Sequence, residues 1–399
     1  MEKEEKEKKE LLKTLNNVFS PISPIKRKDF FFGRRIQLEH VVDAINEMGQ
    51  HAILYGERGV GKTSLANIMY DSYTNLYPVK VTCNREDEFI TLWDRAFKEL
   101  KFAKTTSGST FSEIEIKNID KVRTELNNGQ IVTPALVESL MRQLNGSKFL
   151  YIFDEFDNIR TKKIRSSFAD LVKSLSDNIE NTTIVLVGIG NDVEELVGSH
   201  RSLERCLKQI KMPRMSNDEA GAIIDNGLNQ LDIKISKTVR QSIIEFSSGF
   251  PHYIHLLCKY GAKEIIENGK KEFNNAYLQI AIKNGIDNTS GHLRSSYQKA
   301  IVDSNNKSKW ENIVNSCANG KTDTFNCFST KDVLNEYNKL TGKTVKNGNI
   351  TYNLNKLCDK ERGEILLKLG KGVNTRYRFI NPMMRAYVKL KANVNKTSI

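Results

Sequence analysis

The stretch LYGERGVGKTS, residues 54–64, decides the fold of this chain. It follows the apolar run HAILY (51–55) and precedes a helical pattern. The spacing G-x-x-x-x-G-K-T is met by Gly56, Gly61, Lys62 and Thr63. Glycines let the backbone curl until successive N–H groups, with the start of the next helix, face one cluster of phosphates. The sequence therefore predicts a phosphate-binding loop between a strand and a helix.

The side chains of this loop predict their own chemistry. We expect Lys62 to neutralise the β- and γ-phosphates of a nucleoside triphosphate. The Thr63 hydroxyl is expected to hold Mg²⁺, a hard cation that prefers oxygen ligands. Gly59 and Ser64 complete the cofactor-binding candidates of the loop.

A pair of acidic residues ends a second apolar strand, KFLYIFDEFD (148–157). Carboxylates at the carboxyl end of such a strand lie where open α/β sheets bind ligands. Asp154 is expected to support Mg²⁺, and Glu155 to act on the attacking water as a general base or by positioning it. The pair favours hydrolysis over phosphate transfer to a small substrate. The lack of an N-K-x-D pattern argues against a guanine-specific GTPase.

Three further polar residues are catalytic candidates. Asn191 follows the fourth apolar run, TIVLVG (183–188), where it would bond the γ-phosphate or the water, or simply cap a helix. Arg201 and Arg205 lie between the fourth and fifth runs. Either one would serve as an arginine finger toward a neighbouring subunit, which predicts a homo-oligomer, or remain a surface arginine.

Strand and helix patterns alternate from about residue 30 to 215, which predicts a parallel sheet covered by helices on both faces. The segment 103–130 is polar and is interpreted as a long insertion or mobile loop. From 216 to 290 the pattern is wholly helical, with a Ser216–Glu219 capping box and Pro251 in a first helical turn. The predicted strands are 51–55, 79–83, 148–153, 183–188 and 207–212.

Composition sets the class of protein. Hydrophobic residues make up 39% and charged residues 27% of the 399, as in globular proteins. No apolar run is long enough to span a bilayer and the N-terminus lacks a signal-peptide core, so we predict a cytoplasmic protein. The charged segment 1–29 is expected to be a solvated helix or frayed tail that buries nothing. The six cysteines form no C-x-x-C pair and are interpreted as buried or incidental thiols.

Basic charge is concentrated at the C-terminal end. Residues 301–399 hold 18 Lys/Arg against 8 Asp/Glu. This excess indicates either a polyanion partner or a merely soluble basic surface. Three helical patterns followed by two strand patterns, 364–369 and 375–380, predict a winged helix-turn-helix. Its third helix would bury Ile350, Leu354 and Leu357.

The face beside that buried stripe supplies the nucleic-acid candidates. Amides suit base edges and cations suit phosphates, so contact with double-stranded DNA is one prediction. Docking of a protein, or a solvated polar face, are the alternatives. The DNA-binding candidates are Asn353, Lys356, Lys360, Lys371, Arg376 and Arg378.

Together these motifs resemble the AAA+ and STAND families of P-loop ATPases, above all the origin-recognition and archaeal-initiator type and related bacterial ATPases. FFGRRIQLEHV (31–41) resembles a family box beside the adenine, which makes Phe32, Gly33 and Arg34 nucleotide-site candidates. GFPHYIHLLCKYG (249–261) resembles the G-x-P segment of STAND lids, so Pro251 is expected near the base. YRFINPMMRAYV (377–388) is similar to the winged-helix ending of such ATPases.

The resemblance implies a P-loop NTPase of α/β class, AAA+ type, with ATP and Mg²⁺ as cofactors. It implies four regions: a tail (1–29), an ATPase domain (30–215), a helical lid (216–300) and a winged-helix domain (301–399). Initiators usually carry an arginine at the start of the lid helix, where this chain has His252. This departure favours the STAND manner, in which the lid clamps a nucleotide and its opening is the signal.

The function predicted on this basis is an ATP-dependent switch. Its output is DNA binding or remodelling, or activation of a separate effector protein, as in bacterial anti-phage ATPases. The alternatives are a replication-initiator or transposition-regulator-like ATPase, and a nucleotide-dependent scaffold with negligible turnover. A metabolic kinase is disfavoured by the basic C-terminal region.

Overall fold

The fold is described from a computed structural model that divides into two compact units. Ile22–Met215 form one unit, here called the sheet unit; Met1–Pro21 and Ser216–Ile399 form the other, the helical unit. The residues described are 2–21, 24–25, 32–72, 76–102, 113–144, 148–190, 192–198, 203–302, 307–323, 326–370 and 372–397.

A five-stranded parallel sheet organises the sheet unit, and the predicted α/β class is confirmed. Its strand order is β2-β3-β4-β1-β5. β3 is buried along its whole length, as expected for a strand covered on both faces. The carboxyl ends of all five strands meet at one edge. The strands are β1 (His51–Gly56), β2 (Tyr77–Thr82), β3 (Phe149–Asp154), β4 (Thr182–Ile189) and β5 (Leu207–Lys211).

Helices cover this sheet around an aromatic core. The ring of Trp93 packs against those of Phe153, Phe168 and Tyr151 at centroid distances of 5.1, 5.9 and 5.4 Å. These contacts fix α4 and α7 against β3, which in turn fixes the end of that strand. The helices are α2 (Arg35–Asn46), α3 (Lys62–Ser72), α4 (Phe89–Leu100), α5 (Glu113–Leu126), α6 (Pro134–Arg142), α7 (Lys162–Asn178) and α8 (Glu194–Val197).

The interpretation of 103–130 as a long loop is wrong for its second half, because 113–126 form α5. Ile119, Val122 and Leu126 are buried at helical spacing, and α5 packs on α4. The acidic and basic residues between these three concealed the periodicity. Residues 103–112 lie outside the described part of the chain.

The helical unit contains residues 216–300, the segment predicted to be a lid. The capping box of Ser216 and Glu219 is present at the start of α9, and Pro251 lies in the first turn of α11. The expectation of a wholly helical segment is wrong in one respect, because two short strands pair in parallel between the helices. The elements are α9 (Asn217–Asn229), β6 (Lys234–Ile235), α10 (Lys237–Ser247), α11 (Pro251–Glu267), β7 (Glu272–Phe273), α12 (Asn275–Asp287) and α13 (Gly291–Ile301).

The N-terminal segment belongs to this unit as helix α1 (Glu2–Val18). The expectation that it buries nothing is wrong, since Leu15, Val18 and Phe19 are buried. α1 packs on α11, and the Phe19 ring also lies against Gly227, where a Cβ would approach it to 2.4 Å. Apolar burial near the end of α1 docks this helix, and Lys8 Nζ adds a hydrogen bond to the carbonyl oxygen of Glu267 on α11 at 2.9 Å.

The C-terminal elements occur in the predicted order of three helices and two strands. β8 and β9 pair antiparallel, and Phe328 bridges Tyr377 on β9. Ile350, Leu354 and Leu357 are buried as predicted. The elements are α14 (Lys307–Asn319), α15 (Thr330–Thr341), α16 (Asn347–Lys356), β8 (Leu366–Leu369), β9 (Arg376–Phe379) and α17 (Met384–Thr397).

All six cysteines are free thiols, and five of them are buried. Across the described residues, no helix has the length and apolar character needed to cross a bilayer.

Candidate nucleotide-binding site

The loop between β1 and α3 has the curled backbone that its glycines predict. Gly56, Gly59 and Gly61 have φ values of 151°, 85° and 99°. At Gly56 a Cβ would lie 2.4 Å from the carbonyl oxygen of Met212, so only glycine fits there. Positive φ values of this kind let successive N–H groups of such a loop turn toward one anion at the start of the following helix.

Lys62 lies inside this loop with only 7% of its surface exposed. Its Nζ donates hydrogen bonds to the carbonyl oxygens of Gly56 (3.0 Å) and Glu57 (2.8 Å). Burial lowers the pKa of Lys62 to about 8, against the opposing effect of the nearby carboxylates, led by Asp157. A desolvated ammonium held by neutral carbonyls is poised to pair with phosphate.

Asp154 and Thr63, the two residues expected to hold the metal, are hydrogen-bonded to each other. The Thr63 hydroxyl donates to Asp154 Oδ1 at 3.3 Å, and the backbone N–H of Glu155 donates to the same oxygen at 2.9 Å. Asp154 is buried at the end of β3. A hydroxyl and a carboxylate beside a phosphate loop are oxygen ligands of the kind that Mg²⁺ prefers, so these residues fit that ion.

Glu155 is exposed at the same edge of the sheet, and its backbone is strained. Its φ of 56° lies in the left-handed region, which costs a residue other than glycine about 1–2 kcal/mol. Asn158 Nδ2 donates to Glu155 Oε2 at 3.0 Å and thereby orients the carboxylate. Strain of this kind is characteristic of functional sites.

Residues 32–34 support the loop through the side chain of Arg34, which is hydrogen-bonded to the loop backbone. Gly33 and Arg34 both have positive φ, and Phe32 is half-buried. The buried guanidinium of Arg34 donates to the carbonyl oxygens of Val60 (2.9 Å) and Pro213 (2.6 Å). An influence of Arg34 on the nucleotide therefore passes through the loop backbone.

The remaining predicted site residues are Ser64, Arg205, Pro251, Asn191 and Arg201. Ser64 Oγ accepts a hydrogen bond from the Ile25 N–H at 3.2 Å. Arg205 pairs with Asp177 at 2.6 Å and precedes β5, whereas the loop follows the other end of β1. It therefore does not serve the loop of its own sheet unit. Pro251 belongs to the helical unit, and Asn191 and Arg201 lie outside the described residues.

Two ion pairs that the sequence reasoning missed belong to the site. Lys80 on β2 pairs with Asp154 at 2.9 Å. Arg214 pairs with Glu57, the first variable residue of the loop, at 2.7 Å. The sequence carried a clue to Lys80, since it is the one charged residue in the strand YPVKVT.

The DNA-binding candidates differ in how exposed their side chains are. The prediction for Asn353 is wrong, because the residue is buried and its Nδ2 donates to Asn349 O at 2.7 Å. It stands at i+3 from Ile350 and so joins the buried stripe. Lys356 is bound to Asp359 at 3.3 Å, while Lys360 and Arg376 are exposed. Arg378 is half-buried on β9, and Lys371 lies outside the described residues.

A sequence model of the family described as Novel STAND NTPase 1 matches residues 24–274, well over half of the chain. The chain belongs to this family. The match contains the loop and the acidic pair, so the resemblance to STAND and AAA+ P-loop ATPases is confirmed. No curated protein is significantly similar to it in sequence.

One solved structure shares the fold of this STAND NTPase, and a second is similar at a lower TM-score. A Walker-type ATPase of Pyrococcus abyssi is 14% identical, has a TM-score of 0.52, and aligns over 93% of this chain and 99% of its own. Cdc6p from Pyrobaculum aerophilum is 14% identical with a TM-score of 0.47, over 96% of this chain and 98% of its own. At such identity the likeness to the first concerns the fold alone.

The pKa of Lys62 predicts a pH dependence of nucleotide binding. Bound phosphates stabilise the ammonium, so binding above pH 8 must take up a proton. Affinity is expected to fall about tenfold from pH 7 to pH 9, with uptake of nearly one proton at pH 9. Without nucleotide, the same lysine affects stability. Between pH 8 and 10.5, Lys62 is deprotonated in the folded protein but still protonated in the unfolded chain. Its contribution to the free energy of unfolding therefore rises with pH across this range.

Calorimetry of nucleotide binding in buffers of different ionisation heat measures this proton uptake. A Lys62→Arg variant that still binds is the control, because arginine stays charged throughout this range and its affinity should be constant. Equal wild-type affinities at pH 7 and pH 9 would contradict the assignment.

Proposed function

We propose that this chain is an ATP-dependent switch that binds ATP with Mg²⁺ and hydrolyses it. One observation carries the proposal: Lys62, Thr63 and Asp154 converge at a loop whose backbone can surround phosphates. In this proposal Lys62 pairs with the β- and γ-phosphates, and Thr63 and Asp154 hold the metal. The metal, when bound, supplies positive charge to the phosphate oxygens.

Glu155 is proposed to act on the attacking water. Its exposed carboxylate is held by Asn158, so it is positioned to accept a proton or to orient the water through a hydrogen bond. The acidic pair also favours an enzyme over a scaffold that binds nucleotide without turnover.

The switch character is supported by the segment that follows β5. Met212 donates to the Tyr55 carbonyl oxygen at 2.7 Å, Pro213 accepts from Arg34, and Arg214 pairs with Glu57. Two residues later, Ser216 caps the first lid helix, α9. A change in the loop on phosphate binding therefore reaches the start of the lid along the chain itself.

The experiment for this function is nucleotide binding followed by turnover. We expect calorimetry to detect ATP and ADP uptake and phosphate release to accompany ATP. A lack of any adenine nucleotide uptake by the folded protein would rule the proposal out.

As a second function, we propose that residues 301–399 act as a winged-helix domain that binds duplex DNA. The net charge of the region, 18 Lys/Arg against 8 Asp/Glu, supports it. On α16 the outward side chains are Asn349, Tyr352 and Lys356, with Tyr352 61% exposed. An amide, an aromatic ring and a cation form a surface suited to bases and phosphates.

Phosphate contacts predict a measurable salt dependence. Replacing both Lys360 and Arg376 with alanine should weaken duplex binding about tenfold and reduce the slope of log affinity against log salt by about two. Fluorescence anisotropy at a series of salt concentrations measures both quantities.

The control is Lys173→Ala, an exposed lysine on α7 of the sheet unit. A salt slope unchanged by the double substitution would favour protein docking or a solvated face instead. ATPase rates with and without duplex DNA then test whether DNA and nucleotide states are coupled.

A further inference from the structure

Lys80 places a positive charge against the residue expected to hold the metal. Its Nζ lies 2.9 Å from Asp154 Oδ2, and its side chain is only 19% exposed. The same Nζ donates to Asn67 Oδ1 at 2.6 Å. Asp154 Oδ1 is used separately, by the Thr63 hydroxyl and the Glu155 N–H. The two carboxylate oxygens of Asp154 therefore have different partners, and the partner of Oδ2 is a cation, the ammonium of Lys80.

The fold holds this cation in place. β2 pairs with β3 so that Thr82 stands opposite Asp154 and Lys80 opposite Ile152, and the long side chain of Lys80 spans the offset. Asn67 lies on α3, the helix that begins at Lys62. The ammonium thus bridges the acidic strand and the helix of the phosphate loop.

A buried carboxylate needs a cation or several donors to offset its loss of hydration. At Asp154 this need is met by Lys80 before any divalent ion arrives. An ammonium next to a metal ligand also repels the metal, since like charges a few ångströms apart in a half-buried site interact strongly. Both effects reduce the gain in affinity for an anionic nucleotide that Mg²⁺ provides.

We propose that Lys80 is a built-in counter-cation for Asp154, so that nucleotide binding at this site depends only weakly on Mg²⁺. The inference rests on the proposed nucleotide site and goes beyond it, because it assigns a positioning role to a residue on the edge strand. Lys80 keeps the Asp154 carboxylate neutralised and oriented when the divalent ion is scarce.

The test measures the affinity for a fluorescent ADP analogue in saturating Mg²⁺ and in EDTA. For each variant, the affinity in Mg²⁺ is divided by the affinity in EDTA. For wild type we expect a ratio within about threefold of one, and for Lys80→Met a ratio at least about tenfold larger, through weaker binding in EDTA. Lys80→Arg keeps the charge and should keep the wild-type ratio. Lys80→Gln retains a donor without charge, and serves if the methionine variant does not fold.

Lys208→Met is the matched control. Lys208 is an ion-paired lysine on β5, at the opposite edge of the sheet, and lies 3.2 Å from Asp43. Its ratio should equal that of wild type. The inference is overturned if the uncharged Lys80 variants keep the wild-type ratio, or if wild type itself needs Mg²⁺ to bind. Failure of wild type to bind in either condition would instead refute the nucleotide site as a whole.

Discussion

Replacing Lys62 with methionine should abolish nucleotide binding while leaving the protein at least as resistant to thermal unfolding as the wild type. Affinity is expected to fall at least about 100-fold, because one desolvated, charge-assisted contact to two phosphates is lost. The fold does not depend on the charge, since burial already lowers the pKa of Lys62 to about 8 and its partners are two carbonyl oxygens. A methionine of similar length removes that desolvation cost.

Calorimetry and thermal melts measured side by side test both halves of this expectation. Lys98→Met, at an exposed position on α4, is the control and should match wild type in both measurements. If Lys62→Met kept its nucleotide affinity, Lys62 would not be the residue that binds the phosphates. A large loss of thermal stability would mean that the lysine is a structural residue.

Glu155→Gln is expected to reduce ATP turnover by about 100- to 1,000-fold while nucleotide affinity stays within a few-fold of wild type. The amide keeps the size of the side chain and its contact with Asn158, but it cannot accept a proton. The residue is exposed and its carboxylate is bonded by Asn158, so phosphate binding by Lys62 should survive.

Single-turnover phosphate release separates chemistry from binding in this comparison. Glu180→Gln, an exposed carboxylate just after α7, controls for a general change of charge. Undiminished turnover in Glu155→Gln would remove the residue from the catalytic role. A wild type that binds ATP and never hydrolyses it would favour the scaffold.

Much of the sheet unit was predictable because its signals are local. The strand HAILY, the loop glycines and α3 follow one another directly, and each prediction rested on neighbours in sequence. Helix α5 was missed because charged residues surround Ile119, Val122 and Leu126. The packing of α1 was not predicted for a related reason. Its few apolar residues do not produce a clear periodic pattern within a segment that is mostly charged.

Errors at the candidate sites arose where a side chain's partner is distant along the chain. Asn353 was assigned to an outward face by spacing alone, yet the packing of α16 turns it inward. Nothing near Lys80 in sequence reveals Asp154 as its partner, because three helices separate β2 from β3 along the chain.

The motifs alone predicted the chemistry of this protein: a loop that can surround phosphates, a lysine and a hydroxyl beside it, and two carboxylates at the end of a strand. They could do so because each motif is a run of adjacent residues whose geometry follows from the backbone. Three features depend on the folded chain instead: the cation next to Asp154, the face of α16 that meets solvent, and the residues that support the loop. Those properties come from side chains brought together by strand pairing and helix packing, across separations that no local pattern encodes.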